Sequence, residues 1–397
     1  MKLQQNIAKS PLSVNIYMLN LFKKNCAMSI TVIRYLSKFN LKKENKKMKK
    51  LSIVSIALAV LVLAASCGDK EKYAGDSHLA IEDGKTVVER YGSLQVIGTD
   101  LCDQNGKPVQ IRGMSSHGLQ WYGKYANRDV IKWLRDDWNC QAWRAALYTQ
   151  GGYIGNPVLK DKVITSIEAC IETGMYVLVD WHVLGDKDPL LYAVDAEDFF
   201  TEIAQKYGDK ANIIYEICNE PNGKNVTWKD NIKPYAERII AAIRKYDPDN
   251  VIIVGTPNWS GDVLSAARDP ILNQKNIMYT VHFYTGSQGR ERRAEIKKAL
   301  LKGLPIFATE WGCTKDSGDG GVFEKETLQW IEFLRENNIS WINWSVNNKG
   351  EDSGVLKFNA DRNAKGNWKE EDLSKAGVFI RRIMRNELDY ATWKKEK

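Results

Sequence analysis

The chain alternates between short apolar segments of strand length and longer segments with helical periodicity, and this alternation occurs eight times. Such a succession predicts a single (β/α)8 barrel, which we place at 91–390 with a short N-terminal β-hairpin. We expect the hairpin where Leu94–Val96 and Val109–Ile111 flank the turn-forming Asp103–Gly106. The strand-type segments lie at 109–114, 140–147, 176–181, 211–219, 251–255, 277–283, 305–309 and 339–345. The helix-type segments lie at 128–137, 157–173, 195–207, 230–246, 262–267, 291–301, 322–337 and 372–388.

A doubly wound α/β sheet is the alternative architecture for alternating strands and helices. That fold would need a glycine-rich phosphate-binding turn after an early strand, and the sequence has no such turn. The sequence also has no internal repeat and no low-complexity linker that would separate a second domain. The barrel is therefore the preferred prediction.

In a (β/α)8 barrel, functional side chains lie at the carboxyl ends of the strands. The predicted strands end in polar or aromatic residues, and three of the four histidines of the chain fall at these ends. We therefore predict a functional site at this end of the barrel. In chain order, the strand-end residues are Ser115–Trp121 with His117, Arg144, Asp180–His182, Asn219, Glu220, Pro257–Trp259, His282–Tyr284, Glu310, Trp311, Asn343 and Trp344, followed by Lys349.

Two of the strand ends carry a glutamate in a similar setting. One apolar run ends in Asn219-Glu220-Pro221, and another ends in Glu310. Pro221 cannot donate to a β ladder and restricts the residue before it, so we expect the first strand to stop at Glu220. Either glutamate alone could be a salt-bridged or capping residue. The pair, without a nucleophilic triad or a metal cluster, indicates glycoside hydrolysis by two carboxylates.

The neighbours of these glutamates fit that chemistry. Asn219 could hydrogen-bond the 2-hydroxyl of a sugar. Arg144 needs a partner inside its apolar strand and could keep Glu310 ionised. The chain has 13 tryptophans, and their flat apolar faces can stack on pyranose rings.

For four other strand residues, the sequence does not settle whether they are structural or belong to the site. We expect Glu216, which lies deeper in its strand, to be structural. His182 and His282 could be buried core histidines or parts of the site, and Asp180 could be a partner for a histidine or an arginine.

The strand-end motifs occur in a distinctive order. They are Ile111–Trp121, Trp143–Tyr148, Val179–His182, Tyr215–Pro221, Val281–Tyr284 and Ala308–Gly312. In order and spacing these motifs resemble those of glycoside hydrolase family 5, in particular subfamily 2 of bacterial endo-β-1,4-glucanases, over about 94–388. The motif Trp344–Lys349 departs slightly from the form usual in that family.

The resemblance implies a retaining endo-β-1,4-glucanase that acts by double displacement on a β-glucan or cello-oligosaccharide. It implies that Glu220 is the acid/base and Glu310 the nucleophile, with no cofactor and no metal. It implies that five residues support these two: Arg144, His182, Asn219, His282 and Tyr284. It also implies that five residues line the glucan cleft: His117, Trp121, Trp259, Trp344 and Lys349.

Two alternatives to this function stay open. One is another retaining β-glycanase of the same family, such as a mannanase, a xyloglucanase or a lichenase. The other is a non-catalytic surface glycan-binding lipoprotein, although such a protein would be expected to have lost a carboxylate or the strand-end amide. The sequence retains Asn219, Glu220 and Glu310, which favours an enzyme.

The N-terminal part of the chain resembles an export signal. Residues 48–67 have a short basic region, an apolar core too short for a typical membrane span, and the ending Leu63–Cys67. This ending resembles a bacterial lipoprotein signal with Cys67 as the lipidated residue, whereas an ordinary signal peptide or a membrane anchor is the alternative. We therefore expect residues 1–47 to be a non-native upstream extension, 68–90 to be a polar tether, and the protein to be a secreted outer-membrane or cell-surface lipoprotein.

The charge distribution bears on possible partners. The first 50 residues hold 12 lysines and arginines and one acid, whereas the rest of the chain holds 45 basic and 48 acidic residues. The body is therefore not basic, and we expect no nucleic-acid partner. We expect a monomer that contacts a membrane only through its lipid anchor. The odd number of cysteines after Cys67 argues against a disulfide framework.

Overall fold

The structure, a computed structural model, describes residues 84–360 and 364–397. Eight parallel strands close into a barrel in chain order, with the last strand beside the first. This arrangement confirms the predicted (β/α)8 barrel. The barrel strands are β3 (Arg112–Ser116), β4 (Ala142–Tyr148), β5 (Tyr176–His182), β6 (Ile213–Glu216), β7 (Val251–Val254), β8 (Ile277–Tyr284), β9 (Ile306–Gly312) and β10 (Trp341–Val346), preceded by the hairpin of β1 (Gln95–Ile97) and β2 (Asp100–Cys102).

Each barrel strand is followed by a helix that packs on the outside of the barrel. In chain order these helices are Arg128–Trp138, Lys160–Thr173, Ala193–Tyr207, Lys233–Arg244, Val263–Arg268, Arg290–Leu301, Glu324–Glu336 and Lys375–Met384. Further helices are Val87–Tyr91, Leu119–Tyr122 and Tyr390–Glu396, whereas Pro257–Ser260 forms a turn with left-handed residues. Short 3-10 or π turns lie at Gly123–Tyr125, Thr149–Tyr153, Pro157–Leu159, Pro189–Tyr192, Trp228–Ile232 and Glu370–Asp372.

The helix Arg128–Trp138 shows how local sequence defines these elements. The Asn127 side chain caps its N-terminus by accepting a hydrogen bond from Val130 N at 3.1 Å. The helix ends at Asn139, which adopts the left-handed conformation with φ 55° that often terminates helices. The buried residues Val130, Ile131, Leu134 and Trp138 form one face, and this face packs the helix onto the barrel.

Side chains along the strands alternate between the barrel interior and the layer between strands and helices. Leu178 belongs to the interior cluster, whereas its neighbours Val177 and Val179 belong to the outer cluster. Val87 and Tyr91 of the first helix join the same interior cluster. The N-terminal segment therefore contributes apolar side chains to the core inside the barrel.

A charged layer follows the apolar layer inside the barrel. Arg144, Asp180 and Glu216 each lie two residues beyond an interior apolar residue of their strand, namely Ala142, Leu178 and Ile214. Because the side-chain period of a strand is two, these charged side chains also point inward. The fold thus places ionisable groups on one interior layer toward the carboxyl ends of the strands.

Several predicted boundaries are wrong, and two of them concern the site and the hairpin. The strand predicted at 211–219 ends at Glu216, because beyond it Asn219 N and Glu220 N bond the carbonyls of Trp181 and Val183 at 3.1 and 3.0 Å. In the hairpin, β1 pairs with β2 rather than with the segment at 109–111.

The turn at Asp103 does form, although it lies after β2. The Asp103 side chain accepts hydrogen bonds from the backbone of Asn105 and Lys107, both at 2.8 Å. Beyond this turn, Pro108 forms an isolated bridge with Cys102. The sequence thus predicted the turn chemistry correctly but assigned it to the wrong pair of strands.

Several sequence predictions fall on residues outside the described ranges. The upstream extension 1–47, the signal 48–67 with Cys67, and the tether up to residue 83 all lie there. The end of the predicted tether is described, and Val87 to Arg90 belong to the first helix. Within the described ranges, none of the helices is both long and apolar enough to cross a membrane. The described cysteines have free, buried thiols, as expected for a chain without a disulfide framework: Cys102, Cys140, Cys170, Cys218 and Cys313.

Candidate active site

A fully buried arginine organises the charged layer at the carboxyl ends of the strands. Arg144 Nε and Nη2 donate to Glu216 Oε2 and Oε1 at 2.7 and 3.2 Å. Its Nη1 donates to Glu310 Oε2 at 3.0 Å, and its Nη2 also bonds Asn219 Oδ1 at 2.6 Å. Nη2 further lies 3.0 Å from Asp180 Oδ2. The predicted contact with Glu310 is present. The sequence left Asp180 open as a partner for a histidine or an arginine, and it missed Glu216 as a partner of this cation.

Glu310 lies near the carboxyl end of β9, and both of its carboxylate oxygens accept hydrogen bonds. Tyr284 Oη donates to Oε1 at 2.7 Å, and Arg144 donates to Oε2. Burial alone would raise the pKa of Glu310, but the charges of His282 and Arg144 outweigh burial and hold the pKa below its ordinary value. Glu310 is therefore kept ionised and oriented, which suits a nucleophile.

The pKa of Glu220 is shifted in the opposite direction to that of Glu310. Burial and the negative charge of Glu310 raise the pKa of Glu220, and a hydrogen bond from His282 opposes this shift without cancelling it. His282 Nδ1 lies 2.8 Å from Glu220 Oε1. Glu220 therefore holds a proton to higher pH than an ordinary glutamate, as a general acid must.

The two glutamates are close to one another. One carboxylate oxygen of Glu220, one of Glu310 and a ring nitrogen of His282 all lie within 4.8 Å of one another. Retaining glycosidases have carboxyl groups about 5–5.5 Å apart, whereas inverting enzymes leave about 6.5–9.5 Å for a water molecule. The observed spacing matches the retaining arrangement.

These three groups are of types that can bind metals, but His282 is already held by protein partners. Its Nδ1 faces Glu220 Oε1 at 2.8 Å and its Nε2 faces Thr309 Oγ1 at 3.0 Å. Burial alone would lower the pKa of His282, but the neighbouring carboxylates of Glu216, Glu220 and Glu310 outweigh burial and raise it to about 9. We assign no metal or cofactor to this cluster.

Asn219 and Glu220 are adjacent in sequence, but only Asn219 is fully buried. Its Oδ1 accepts from Arg144 and its Nδ2 donates to Val183 O at 3.1 Å. These two bonds define which way the amide points. The amide of Asn219 is therefore held in one orientation next to Glu220 in the chain.

His182 lies at the end of β5 and is held by Asp180. Its Nδ1 lies 2.7 Å from Asp180 Oδ2, and its ring stacks on Tyr148 and Trp344 at centroid distances of 4.0 and 5.5 Å. Burial and the charge of Arg144 lower the pKa of His182 to about 3. The His182 ring is therefore neutral. Asp180 Oδ2 contacts both His182 and Arg144.

The site opens into a cleft of about 720 Å³. One wall comes from the ends of β10, β3 and β4, and the other comes from the segments after β5 to β9. All five residues predicted to line the cleft are in these walls: His117, Trp121, Trp259, Trp344 and Lys349. Sequence reasoning did not assign several further lining residues to the cleft, among them Tyr148, Leu184, Gln288, Arg292 and Glu351.

Tryptophans are exposed on both walls of the cleft. Trp121 is 60% exposed and Trp259 is 50% exposed, whereas Trp344 is buried. Trp259 lies in a turn in which Asn258, Trp259 and Ser260 all have positive φ. Its backbone N–H bonds Pro221 O at 3.2 Å, which fixes this turn beside Glu220.

The wall formed by the β10 segment carries an ion pair. Lys349 Nζ lies 2.6 Å from Glu351 Oε2, and Ser353 Oγ donates to Glu351 Oε1 at 3.0 Å. Burial and the charge of Lys349 lower the pKa of His117 to about 3. Glu351 lies two residues after the predicted Lys349, so its position after a strand end was the available signal.

Comparisons with known proteins agree with this geometry. The model of the cellulase family, glycosyl hydrolase family 5, matches residues 102–350. Endoglucanase A of Evansella cellulosilytica is 47% identical over 339 residues, which cover 85% of this chain and 67% of that protein. An endoglucanase of Clostridium saccharobutylicum is 48% identical over 293 residues, covering 73% of this chain and 64% of that protein.

Solved structures give the same result. The catalytic domain of an endoglucanase from Thermobifida fusca has a TM-score of 0.71 and 37% identity, covering 75% of this chain and 99% of that domain. The chain spans about two thirds or less of the length of several curated relatives, including 59% of endoglucanase 5 from Pectobacterium carotovorum. The fold, the site and these similarities together lead to one conclusion: the chain belongs to glycosyl hydrolase family 5, the cellulase family.

Proposed function

We propose that this protein is a retaining endo-β-1,4-glucanase in which Glu220 is the acid/base and Glu310 the nucleophile. The observation that carries the proposal is the pairing of these two carboxylates within 4.8 Å with opposite pKa shifts. Two carboxylates whose environments push their pKa values apart are suited to separate acid and nucleophile roles.

In the first step, the carboxylate of Glu310 bonds to the anomeric carbon as Glu220 gives its proton to the glycosidic oxygen. The bond between that oxygen and the anomeric carbon breaks, and its electron pair stays on the leaving sugar. In the second step, Glu220 takes a proton from water, and the water oxygen displaces Glu310 from the anomeric carbon. Two inversions at the same carbon give net retention.

The residues around Glu310 favour this order of events. Arg144 and Tyr284 donate to its two oxygens, so the carboxylate is oriented before the substrate arrives. Asn219 lies beside the acid with its amide already held by Arg144 and Val183. We assign to it the hydrogen bond to the sugar 2-hydroxyl, which strengthens in the transition state.

The shape of the cleft supports internal cleavage of a chain. Exposed tryptophans lie on both walls, and the catalytic pair lies between them. A sugar chain can stack on both Trp121 and Trp259 while the bond to be cleaved lies at the centre. The Thermobifida fusca endoglucanase was solved with cellotetraose, which supports cello-oligosaccharides as the substrate class here.

The alternatives make different predictions. A mannanase, a xyloglucanase or a lichenase would prefer its own polymer in a reducing-sugar assay on carboxymethylcellulose, mannan, xyloglucan and lichenan. A glycan-binding protein would bind these polymers without releasing reducing ends. We expect the fastest release from carboxymethylcellulose, and a fall in its viscosity that precedes the release of short sugars.

Proton NMR of the first product tests retention directly. Hydrolysis of cellotetraose should first give the β-anomer, which then mutarotates to the equilibrium mixture. A first product in the α-configuration would mean inversion and would overturn both assigned roles.

We also propose that the protein acts as a monomer tethered to a bacterial envelope through a lipid on Cys67. The support is the signal-like segment 48–67, with its basic start, apolar core and terminal cysteine. Such an anchor would hold the enzyme at the outer membrane or cell surface, where polysaccharides are met.

A further inference from the structure

The hydroxyl of Thr309 links two parts of the site that the mechanism above treats separately. Thr309 Oγ1 lies 2.6 Å from Glu216 Oε1 and 3.0 Å from His282 Nε2. It also contacts the hydroxyl of Thr280. All four residues are buried, so water cannot readily replace any of these bonds.

The hydrogen-bonding capacity of each group determines where the protons lie. The pKa of Glu216 is lowered to about 2, because Arg144 and the neighbouring hydrogen bonds outweigh burial. Glu216 is therefore an acceptor, and Thr309 must donate to it. Thr280 Oγ1 accepts from Thr309 N at 3.3 Å, so its own hydrogen is available for Thr309 Oγ1. The remaining lone pair of Thr309 then accepts from His282, and Nε2 of the ring must carry a proton.

The other ring nitrogen of His282 faces the general acid. Nδ1 lies 2.8 Å from Oε1 of Glu220. The other titratable groups that interact with the ring are Asp180, His182, Glu216 and Glu310, and Arg144 and Tyr284 hydrogen-bond Glu216 and Glu310. The carboxylates among them favour a charged ring.

We propose that Thr309 and Glu216 are positioning residues for the general acid, Glu220. Through its hydroxyl, Thr309 keeps Nε2 of His282 protonated while it donates to Glu216. The charged His282 ring then directs the N–H of its other nitrogen, Nδ1, to Oε1 of Glu220. This inference rests on the proposed role of Glu220. With Oε1 occupied, the acidic proton lies on Oε2. When that proton passes to the glycosidic oxygen, the new carboxylate forms beside an imidazolium that stabilises it.

The kinetic test replaces Thr309 by residues of similar size. Thr309→Val removes the hydroxyl, and we expect kcat/KM for cellotetraose to fall by about tenfold or more, because proton donation becomes harder. The value for dinitrophenyl cellobioside, whose leaving group needs no proton, should change by less than about threefold. Thr309→Ser keeps the hydroxyl and should restore cellotetraose activity to within about threefold of wild type.

A matched control is available on the neighbouring helix. Thr327 is also buried, and its hydroxyl bonds Thr285 Oγ1 at 2.8 Å. Thr327→Val should leave kcat/KM unchanged for both substrates. If Thr309→Val lowers kcat/KM equally for both substrates, or for neither, Thr309 does not act through Glu220 and the inference is wrong.

Nitrogen-15 NMR of labelled histidine tests the same inference without relying on turnover. The His282 signals, assigned through His282→Gln, should show both ring nitrogens protonated at pH 7 in the wild type. They should show a neutral ring in Thr309→Val. An unprotonated Nε2 in the wild type would overturn the inference even if Thr309→Val did not fold. If the wild type hydrolysed no glucan but gave the expected spectrum, the proposed function would fail while the proton assignment would stand.

Discussion

Arg144 and Glu216 form a two-point ion pair inside the barrel, with Nε to Oε2 at 2.7 Å and Nη2 to Oε1 at 3.2 Å and neither side chain exposed. The same guanidinium also contacts Glu310 at 3.0 Å. Because Glu216 and Glu310 share this arginine and both have lowered pKa values, its removal leaves two buried negative charges without compensation. Arg144 thus links the stability of the barrel to the charge state of the nucleophile.

We expect Arg144→Met to lose most activity and to lower the free energy of unfolding by about 3–5 kcal/mol. Urea denaturation and a cellotetraose assay would measure both effects. Arg381 is the matched control, because it forms a two-point pair with Asp137 at 2.7 and 2.8 Å near the surface. Arg381→Met should cost about 1 kcal/mol or less. Full activity in Arg144→Met would show that other groups hold Glu310.

The variants Glu310→Ala and Glu220→Ala should fail in different ways. Glu310→Ala should lose turnover on every substrate, and azide should restore cleavage from the vacated face and give an α-glycosyl azide. Glu220→Ala should lose about 10²–10⁴-fold on cellotetraose but still cleave dinitrophenyl cellobioside. Its glycosyl-enzyme should accumulate, and azide should give a β-glycosyl azide. Proton NMR would show the configuration of each glycosyl azide. If the two configurations were reversed, Glu220 would be the nucleophile and Glu310 the acid/base.

The pH profile of kcat/KM should be bell-shaped. The acid limb reports Glu310, whose pKa lies below the ordinary 4.5, and the alkaline limb reports Glu220, whose pKa lies above it. Because His282 lowers the pKa of both residues, His282→Gln should move both limbs to higher pH. Limbs that stay in place would mean that His282 does not carry the charge assigned to it.

His282 should also make stability depend on pH in the alkaline range. Its pKa is raised from 6.5 to about 9 by the fold. A raised pKa means that the folded state binds the proton more tightly, so this contribution is fully present below pH 6.5 and is lost as the pH rises through about 9. Urea denaturation should show a loss of up to about 3 kcal/mol over this range in the wild type. The loss should be absent in His282→Gln.

The anchor prediction concerns Cys67. In the native host, Cys67→Ala should release the protein from the membrane fraction, because the variant lacks the residue to which the acyl chains would be attached. Cys102→Ala is the control, since that thiol is buried in the folded domain. Membrane association of Cys67→Ala equal to that of the wild type would rule out lipidation at this cysteine.

The sequence by itself determined the barrel and the two glutamates. Its eight strand–helix alternations depend on local periodicity, and Glu220 and Glu310 were recognisable because each follows an apolar strand-type run. The exposed tryptophans Trp121 and Trp259 were predictable for the same reason, since each follows a strand end.

Only the tertiary structure decided which of these groups meet. Glu216 read as a structural residue within a strand, yet barrel closure brings it to Arg144, 72 residues away, and to Thr309, 93 residues away. Contacts between different strands depend on register and on the inward direction of side chains, which local periodicity does not specify. The strand end at Glu216, the ion pair of Lys349 with Glu351, and the opposite pKa shifts of Glu220 and Glu310 likewise arise only when the barrel closes.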